Sequence, residues 1–170
     1  MSAHIREVRA MHNEFRDATA KAIAEAIEDN PPIEKIDLAS NLINDSGGEL
    51  LGLAIASNTK LVSLNLRKNN LRATSGAMFA QSMKENKTLK SLKLEANSIN
   101  TNFLDKIASY IERNNIHTTE NNVNELRKER EGYLSTRQRD WHKVKSDQVY
   151  YAKQIAILER KVNHRQKLAA

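Results

Sequence analysis

The 170-residue sequence has no cysteine, two prolines, five glycines and few aromatic residues. The absence of cysteine excludes a disulfide framework and thiolate metal sites, and it fits a reducing compartment. The scarcity of proline and glycine argues against a disordered, low-complexity chain. No apolar run approaches the ~18 residues of a transmembrane helix, and the N-terminus lacks the apolar core of a signal peptide. We therefore expect a soluble, cytoplasmic protein that does not enter a membrane.

Positive charge is concentrated in the last third of the chain. The net charge of the whole sequence is +6. Residues 117–170 contain 12 Lys and Arg against 7 Asp and Glu, so they carry nearly all of this excess. Such an asymmetry indicates two physically different parts.

A 28-residue period dominates the first two thirds of the chain. Its best copy reads Leu61-Val-Ser-Leu-Asn-Leu-Arg-Lys-Asn-Asn-Leu71, with apolar residues at the first, fourth, sixth and eleventh places. Alternate apolar side chains of a short strand would point inward, and the asparagine at the ninth place can bond to backbone groups left unpaired by the following turn. We predict a structural asparagine ladder, formed by Asn13, Asn41, Asn69 and Asn97.

The second half of each repeat shows helical spacing. Apolar residues form i, i+4 pairs, at Ile23 and Ile27, Leu51 and Ile55, Phe79 and Met83, and Ile107 and Ile111. Gly48 and Gly76 near the helix starts predict a close approach of neighbouring units. Candidate N-cap residues are Asp17, Ser46, Ser75 and Thr101. A second series of asparagines closes the units, at 30, 58, 86 and 114.

These patterns predict an α/β solenoid in residues 1–116. It contains four strand–turn–helix units, at residues 5–32, 33–60, 61–88 and 89–116. About three such units are needed for stability, because one unit cannot bury its own apolar face. The first copy is degenerate, which suits an N-terminal cap.

The sequence of residues 117–170 predicts a basic helical tail. We expect it to form a long C-terminal α-helix with coiled-coil tendency. The period stops at His117, and Thr118–Asn122 is interpreted as a break before the helix begins. Apolar residues then recur at intervals of three and four, and the candidate partner-binding residues of this stripe are Trp141, Val144, Tyr151, Ile155, Leu158 and Val162. The stripe is too apolar for a solvated helix, so we expect a helical partner. The alternative is that the tail folds back on the repeats.

No catalytic constellation emerges from the sequence. The five histidines are scattered without metal-ligand spacing, and no phosphate-binding glycine motif is present, so we predict neither enzymatic activity nor a cofactor. Acidic residues interleave with the basic residues of the tail, a pattern that does not favour nucleic acid.

The concave side of the predicted solenoid, called the sheet face below, is the other candidate binding surface. Alternate strand residues that point away from the helices build it, and the candidate partner-binding residues are Arg9, Lys35, Asp37, Asn65, Arg67, Lys93 and Glu95. The alternative is that these are solvated strand residues, since no aromatic anchor lies among them.

The repeat followed by a full α-helix resembles the ribonuclease-inhibitor-like class of leucine-rich repeats over residues 5–116. Within that class, residues 84–99 are similar to the corresponding stretch of tropomodulins and leiomodins, and residues 121–130 are similar to the basic segment after their last repeat. Those proteins bind actin at filament pointed ends through such a repeat domain. We expect no counterpart of their tropomyosin-binding and first actin-binding regions before the repeats. The apolar tail stripe is not expected from that family.

The resemblance implies the fold and a cytoskeletal setting, without actin-contact residues. We predict a non-enzymatic adaptor or structural subunit of a large cytoskeletal assembly, such as a ciliary axoneme. It would bind protein partners through the solenoid and through the tail helix, with actin or microtubule-associated proteins among the candidates. The alternative is a tropomodulin-like module that binds or caps actin filaments.

Overall fold

The protein is described by a computed structural model, which covers residues 5–135 and 141–168, with side chains at 5–132 and 145–167. Short strands and helices alternate in the order β1 Glu7–Arg9, α1 Asp17–Glu28, β2 Lys35–Asp37, α2 Asp45–Ser57, β3 Ser63–Asn65, α3 Ala73–Glu85, β4 Ser91–Lys93, α4 Thr101–Ser135 and α5 Trp141–Leu168. The chain divides into two compact units, Met1–Asn114 and Asn115–Ala170. Helix α4 contributes its first part to unit 1 and the rest to unit 2.

The four strands form one parallel sheet in the order β1-β2-β3-β4. Their register follows the 28-residue period, so that Val8, Ile36, Leu64 and Leu92 lie side by side. Each strand is followed by a helix that returns the chain to the start of the next strand. The predicted α/β solenoid of four units is confirmed.

One hydrophobic core runs through unit 1 between the sheet and the helices. Leu64, Leu66 and Phe79 in the third repeat are fully buried, whereas Val8 in the first strand and Leu92 in the last are only partly buried. Each inner repeat has a neighbouring repeat on both sides, whereas each outer repeat has a neighbouring repeat on one side. The stability of the solenoid therefore depends most on its middle repeats.

Neighbouring helices approach closely at Gly48. A Cβ added to Gly48 would lie 2.8 Å from Leu71 Cδ2 and would collide with the Ser75 side chain. Gly76 packs in the same way against Ile99. Both glycines lie in buried helix starts, where the absence of a side chain lets successive repeats stack.

The helix N-termini are not capped as the sequence predicts. The N-cap residues are Arg16, Asn44 and Arg72 in α1, α2 and α3, and none makes a side-chain capping bond. The predicted caps Asp17 and Ser75 lie inside helices. In α2 and α3, capping comes instead from the preceding repeat, which supplies a carboxylate.

Asp17 of α1 caps α2 in this way. Its carboxylate accepts hydrogen bonds from the Asn44 backbone N–H at 2.7 Å and from the Ser46 hydroxyl at 2.9 Å. Partial burial raises the pKa of the Asp17 carboxyl, but these bonds, together with the Gly47 N–H, outweigh burial and leave the pKa below its ordinary value. A negative charge here also lies at the favourable end of the helix dipole.

Asp45 of α2 repeats the arrangement at the start of α3. It accepts from the Arg72 N–H at 2.7 Å and from the Ser75 hydroxyl at 2.6 Å. The next residue in this series is Ala73, and α4 is capped by its own Asn100, whose side chain accepts from the Asn102 N–H at 2.9 Å. Two of the three repeat junctions are thus held by a carboxylate.

Asp45→Asn should destabilise unit 1 in a pH-dependent manner. Burial raises the pKa of the Asp45 carboxyl, but the bonds from Ser75 and Arg72 lower it by more, so the folded pKa lies below the unfolded value of about 3.9. The contribution of the carboxylate is therefore complete above pH ~5 and is lost as the pH falls through the folded pKa. We expect a loss of about 1 kcal/mol at pH 7, measured by urea unfolding, that shrinks towards pH 2.

The matched control for this pH series is Asp105→Asn. It removes one negative charge from an exposed position of α4 that makes no capping bond to a neighbouring helix. A difference between wild type and Asp45→Asn that stays constant from pH 7 to pH 2 would contradict the role of the ionised carboxylate.

Unit 2 is an antiparallel helix pair formed by the second part of α4 and by α5. Arg127 pairs with Glu159, and Arg165 donates to the Thr119 hydroxyl at 3.3 Å. The buried apolar residues between the two helices include Val123, Ile155 and Val162. The predicted break at Thr118–Asn122 is wrong, because these residues lie inside α4.

Candidate functional site

Asn69 shows the geometry of the asparagine ladder. Its side-chain amide donates to the Leu66 carbonyl at 3.1 Å and to the Leu38 carbonyl of the preceding repeat at 3.0 Å. Its side-chain oxygen accepts from the Ile43 N–H at 3.1 Å, also in the preceding repeat. One side chain thus joins its own turn to the turn before it.

Asn41 and Asn97 make equivalent bonds. Asn41 donates to the Leu38 carbonyl at 2.9 Å and accepts from the Phe15 N–H at 3.1 Å. Asn97 donates to the Leu94 carbonyl at 2.9 Å. Asn13 differs from these residues: it is exposed and donates to carbonyls of its own turn at 3.0 and 3.1 Å.

The residue before each ladder asparagine has a left-handed backbone. The φ angles are 57° at His12, 56° at Ser40, 53° at Lys68 and 57° at Ala96. None of these four residues is glycine, although this conformation costs other residues roughly 1–2 kcal/mol. The bonds of the ladder hold the turn in this shape, because each asparagine follows the bend and its side-chain amide donates to carbonyls that precede the bend.

The second series of asparagines forms a similar ladder at the other end of the repeats. Asn58 donates to the Ile27 carbonyl at 2.7 Å, and Asn86 donates to the Ile55 carbonyl at 2.7 Å. Both side-chain oxygens accept backbone N–H groups of the turn that follows. Asn114 continues the series with a bond to the Leu89 carbonyl at 2.8 Å.

Arg113 closes the last junction of unit 1 and was not predicted. Its guanidinium donates to the carbonyls of Met83 at 2.9 Å, Lys84 at 3.1 Å and Asn86 at 2.6 Å, at the C-terminal end of α3. It also lies 5.0 Å from the centre of the Tyr110 ring. A cation at this end of a helix is favoured by the helix dipole.

The sheet face carries paired side chains of opposite charge. Arg9 bonds to Glu7 at 2.8 Å, and Arg67 pairs with Glu95 of the next repeat at 3.4 Å. The hydrogen bond from Arg9 lowers the pKa of the Glu7 carboxyl. These pairs place alternating charges across the face.

The centre of the sheet face is held by Asp37 and Asn65. The Asn65 amide donates to the Asp37 carboxylate at 3.1 Å, across the junction of two repeats. Lys35 and Lys93 are exposed, and neither makes an ion pair within the described part of the chain. The structure therefore brings the predicted sheet-face residues onto one polar surface of four strands.

The predicted tail stripe points largely into unit 2. Ile155 and Val162 are buried, and Tyr151 and Leu158 are half-buried. The side chains of Trp141 and Val144 lie outside the described residues. An external partner for this stripe remains a prediction, and the two helices of unit 2 would have to separate to admit it.

Some apolar side chains of α5 that lie away from the buried stripe are exposed. They are Val149, Tyr150 and Ile157, with exposed fractions of 49%, 58% and 47%. Helical periodicity identifies these residues from the sequence, because they lie on the side of the helix opposite the buried residues.

Other classes of site find no support among the described residues. No group of three metal-ligating side chains occurs in that part of the chain. No helix there has the length and apolar character needed to span a bilayer. The polar surfaces of the solenoid and the helix pair are therefore the candidate sites.

Comparisons with known proteins agree with the fold described above. A family model described as "Leucine Rich repeat" matches residues 29–52 and 57–80. The chain therefore contains leucine-rich repeats, which support a role as a protein-interaction module. Among solved structures it is similar to "Leiomodin-1 Actin-Binding Site 2 (ABS2)", with a TM-score of 0.59 and 15% sequence identity over 72% of this chain and 87% of that chain. A search of curated proteins found no match.

The solved structure supports the resemblance that the sequence suggests. At 15% identity the match concerns the fold. The family model matches parts of the second and third repeats. The predicted membership among leucine-rich repeat proteins with similarity to leiomodins is confirmed.

Proposed function

We propose that the protein is a non-enzymatic adaptor or structural subunit of a cytoskeletal assembly, and that it docks a protein partner on its sheet face. The main support is the four-strand face, on which two pairs of side chains are fixed by bonds between repeats. Arg67 and Glu95 belong to different repeats, as do Asp37 and Asn65. Side chains that are already ordered lose less conformational entropy on binding.

The charge pattern of the face gives it selectivity. Positive residues alternate with negative residues, so a partner needs a matching alternation to avoid like-charge contacts. Electrostatic matching of this kind determines specificity and association rate more than affinity. A permanent assembly, such as a ciliary axoneme, would supply further contacts from neighbouring subunits.

A second candidate function is binding or capping of actin filaments in the manner of tropomodulins. It is supported by the fold similarity to a structure titled as an actin-binding site of leiomodin-1, of which this chain covers 87%. The assembly would then be actin-based, and the sheet face or the helices of the repeats would meet actin.

Co-sedimentation with filaments tests both candidates. Full-length protein is pelleted with F-actin and, separately, with microtubules, and elongation of pyrene-actin is followed from filaments with capped barbed ends. The sheet-face variant is Arg67→Glu with Lys93→Glu. Its matched control is Lys60→Glu with Lys106→Glu, which changes the net charge equally at exposed positions away from the sheet face.

We expect binding to one of the two polymers, weakened about tenfold by the sheet-face variant and unchanged by the control. Slower pointed-end elongation would favour the actin candidate. Absence of binding to both polymers, with normal elongation, would contradict direct docking on either filament. Equal loss in the two variants would contradict a role for the sheet face.

A further inference from the structure

The outward face of α5 combines exposed apolar side chains with positive charge. At about 100° per residue, this face lies opposite Ile155 and Val162. Its apolar members are Val149, Tyr150, Ala156 and Ile157, and its cations are Lys153, Arg160, Lys161 and Lys167. All eight residues are exposed.

No acidic residue lies on this outward face. The only acids of α5 are Asp147 and Glu159, and helical periodicity places both on the sides that flank the buried stripe. Glu159 pairs with Arg127 of α4. The four cations of the outward face make no ion pair within the described residues. Their charge is therefore uncompensated there.

The apolar part of this face is partly preorganised. The Tyr150 ring contacts the Tyr151 ring edge-on, with centroids 5.4 Å apart and planes at 77°. Tyr151 is half-buried and belongs to the stripe that faces α4. The contact restricts the Tyr150 ring, which lowers the entropic cost of using it as a binding anchor.

We propose that the outward face of α5 binds an amphipathic helix of a partner protein whose apolar stripe is flanked by Asp and Glu. Carboxylates of such a helix would pair with Lys153 and Arg160, while its apolar side chains would cover Tyr150 and Ile157. This surface is separate from the sheet face, so the proposal goes beyond the function proposed above and does not depend on it.

The distribution of charge around α5 favours a protein partner over a membrane or nucleic acid. Lys153 and Arg160 lie between Val149 and Ile157 around the helix. Insertion of the apolar side chains into lipid would carry these cations into the hydrocarbon. Phosphates would satisfy the cations but leave three large apolar side chains facing water. An acidic amphipathic helix satisfies both groups at once.

A labelled peptide of three Leu-Glu-Glu-Leu-Leu-Glu-Glu heptads tests the proposal by fluorescence anisotropy with the full chain. A twin peptide with lysine in place of every glutamate serves as the charge control. The protein variants are Lys153→Glu with Arg160→Glu, Tyr150→Ser with Ile157→Ser, and the control Lys60→Glu with Lys106→Glu. Vesicles of phosphatidylcholine and phosphatidylserine, and duplex DNA, are measured in parallel, and circular dichroism checks the helix content of each variant.

We expect the acidic peptide to bind and the lysine twin not to bind. Lys153→Glu with Arg160→Glu should weaken the acidic peptide about tenfold or more and should allow the twin to bind. Tyr150→Ser with Ile157→Ser should also weaken binding, whereas the control and the sheet-face variant Arg67→Glu with Lys93→Glu should not. Raising the ionic strength should reduce the affinity, because the cations are exposed.

Four results would overturn the proposal. They are no binding of the acidic peptide, equal weakening by the charge variant and its control, unchanged binding after Tyr150→Ser with Ile157→Ser, and tighter binding of vesicles or DNA than of the peptide. The last result would identify the face as a membrane or nucleic-acid surface.

Discussion

Asn69→Ala should lower the free energy of unfolding of unit 1 by about 3 kcal/mol. The Asn69 side chain is buried and bonds to the carbonyls of Leu66 and Leu38 and to the N–H of Ile43. Alanine removes both the donor and the acceptor, so several backbone groups in two repeats lose a partner where water has little access. The measurement is urea unfolding followed by circular dichroism.

Two control substitutions distinguish the loss of the ladder bonds from the general effect of a substitution in this region. Asn13→Ala makes the same chemical change in the first repeat, where the side chain is exposed and bonds only within its own turn. Lys68→Ala changes the neighbouring residue. Lysine and alanine both carry a Cβ, so this substitution does not change the steric cost of the left-handed backbone at position 68. Each control should cost less than about 1 kcal/mol. A loss as large in Asn13→Ala as in Asn69→Ala would refute the ladder as a buried support.

Arg113→Met should cost about 2 kcal/mol. The substitution keeps an unbranched apolar stem but removes charged donors from three carbonyls at the end of α3 and the cation beside Tyr110. Because the affected groups lie at the last junction of unit 1, amide hydrogen exchange in the final turn of α3 should accelerate more than exchange in α1. Urea unfolding gives the total loss, and exchange measured by mass spectrometry locates it.

Arg113→Lys and Arg16→Met are the controls for this second substitution. Lysine keeps the charge but lacks the planar guanidinium group, whose N–H donors reach several carbonyls at once. It should therefore restore only part of the stability. Arg16 is exposed, and its loss should have little effect. Equal effects of Arg113→Met and Arg16→Met on unfolding would show that the carbonyl bonds contribute nothing.

The sequence predicts the solenoid well because its signals are repeated. Each repeat buries the same apolar positions and needs an asparagine at the same bend, so the positions of Asn41, Asn69 and Asn97 follow from the period alone. Asp17 and Asp45 obey the same spacing of 28 residues. Asp17 was predicted to cap its own helix, and no role was predicted for Asp45. A carboxylate that caps the helix of the next repeat cannot be told from its local sequence, because acidic residues are also common in the first turn of a helix.

Other features of the structure are predicted only weakly by the sequence, or not at all. Polar residues such as Thr118 and Asn122 occur both at helix ends and on exposed helix faces, and so they do not mark the end of α4. Arg113 has no equivalent in the other repeats and resembles any surface cation. Ile155 and Val162 lie on a helical stripe whose partner belongs to the same chain. An apolar stripe indicates that a partner exists, but it does not distinguish a partner in the same chain from another protein.

The ladder bonds have a direction, and this direction bears on how the protein is made. Asn69 reaches back to Leu38, and Asn58 reaches back to Ile27, each in the repeat that is synthesised earlier. A repeat that leaves the ribosome therefore finds the carbonyls that its asparagines need already in place. The solenoid can therefore grow one repeat at a time from its N-terminal end, because the side-chain amides of Asn41, Asn69 and Asn97 bond to carbonyls of the preceding repeat.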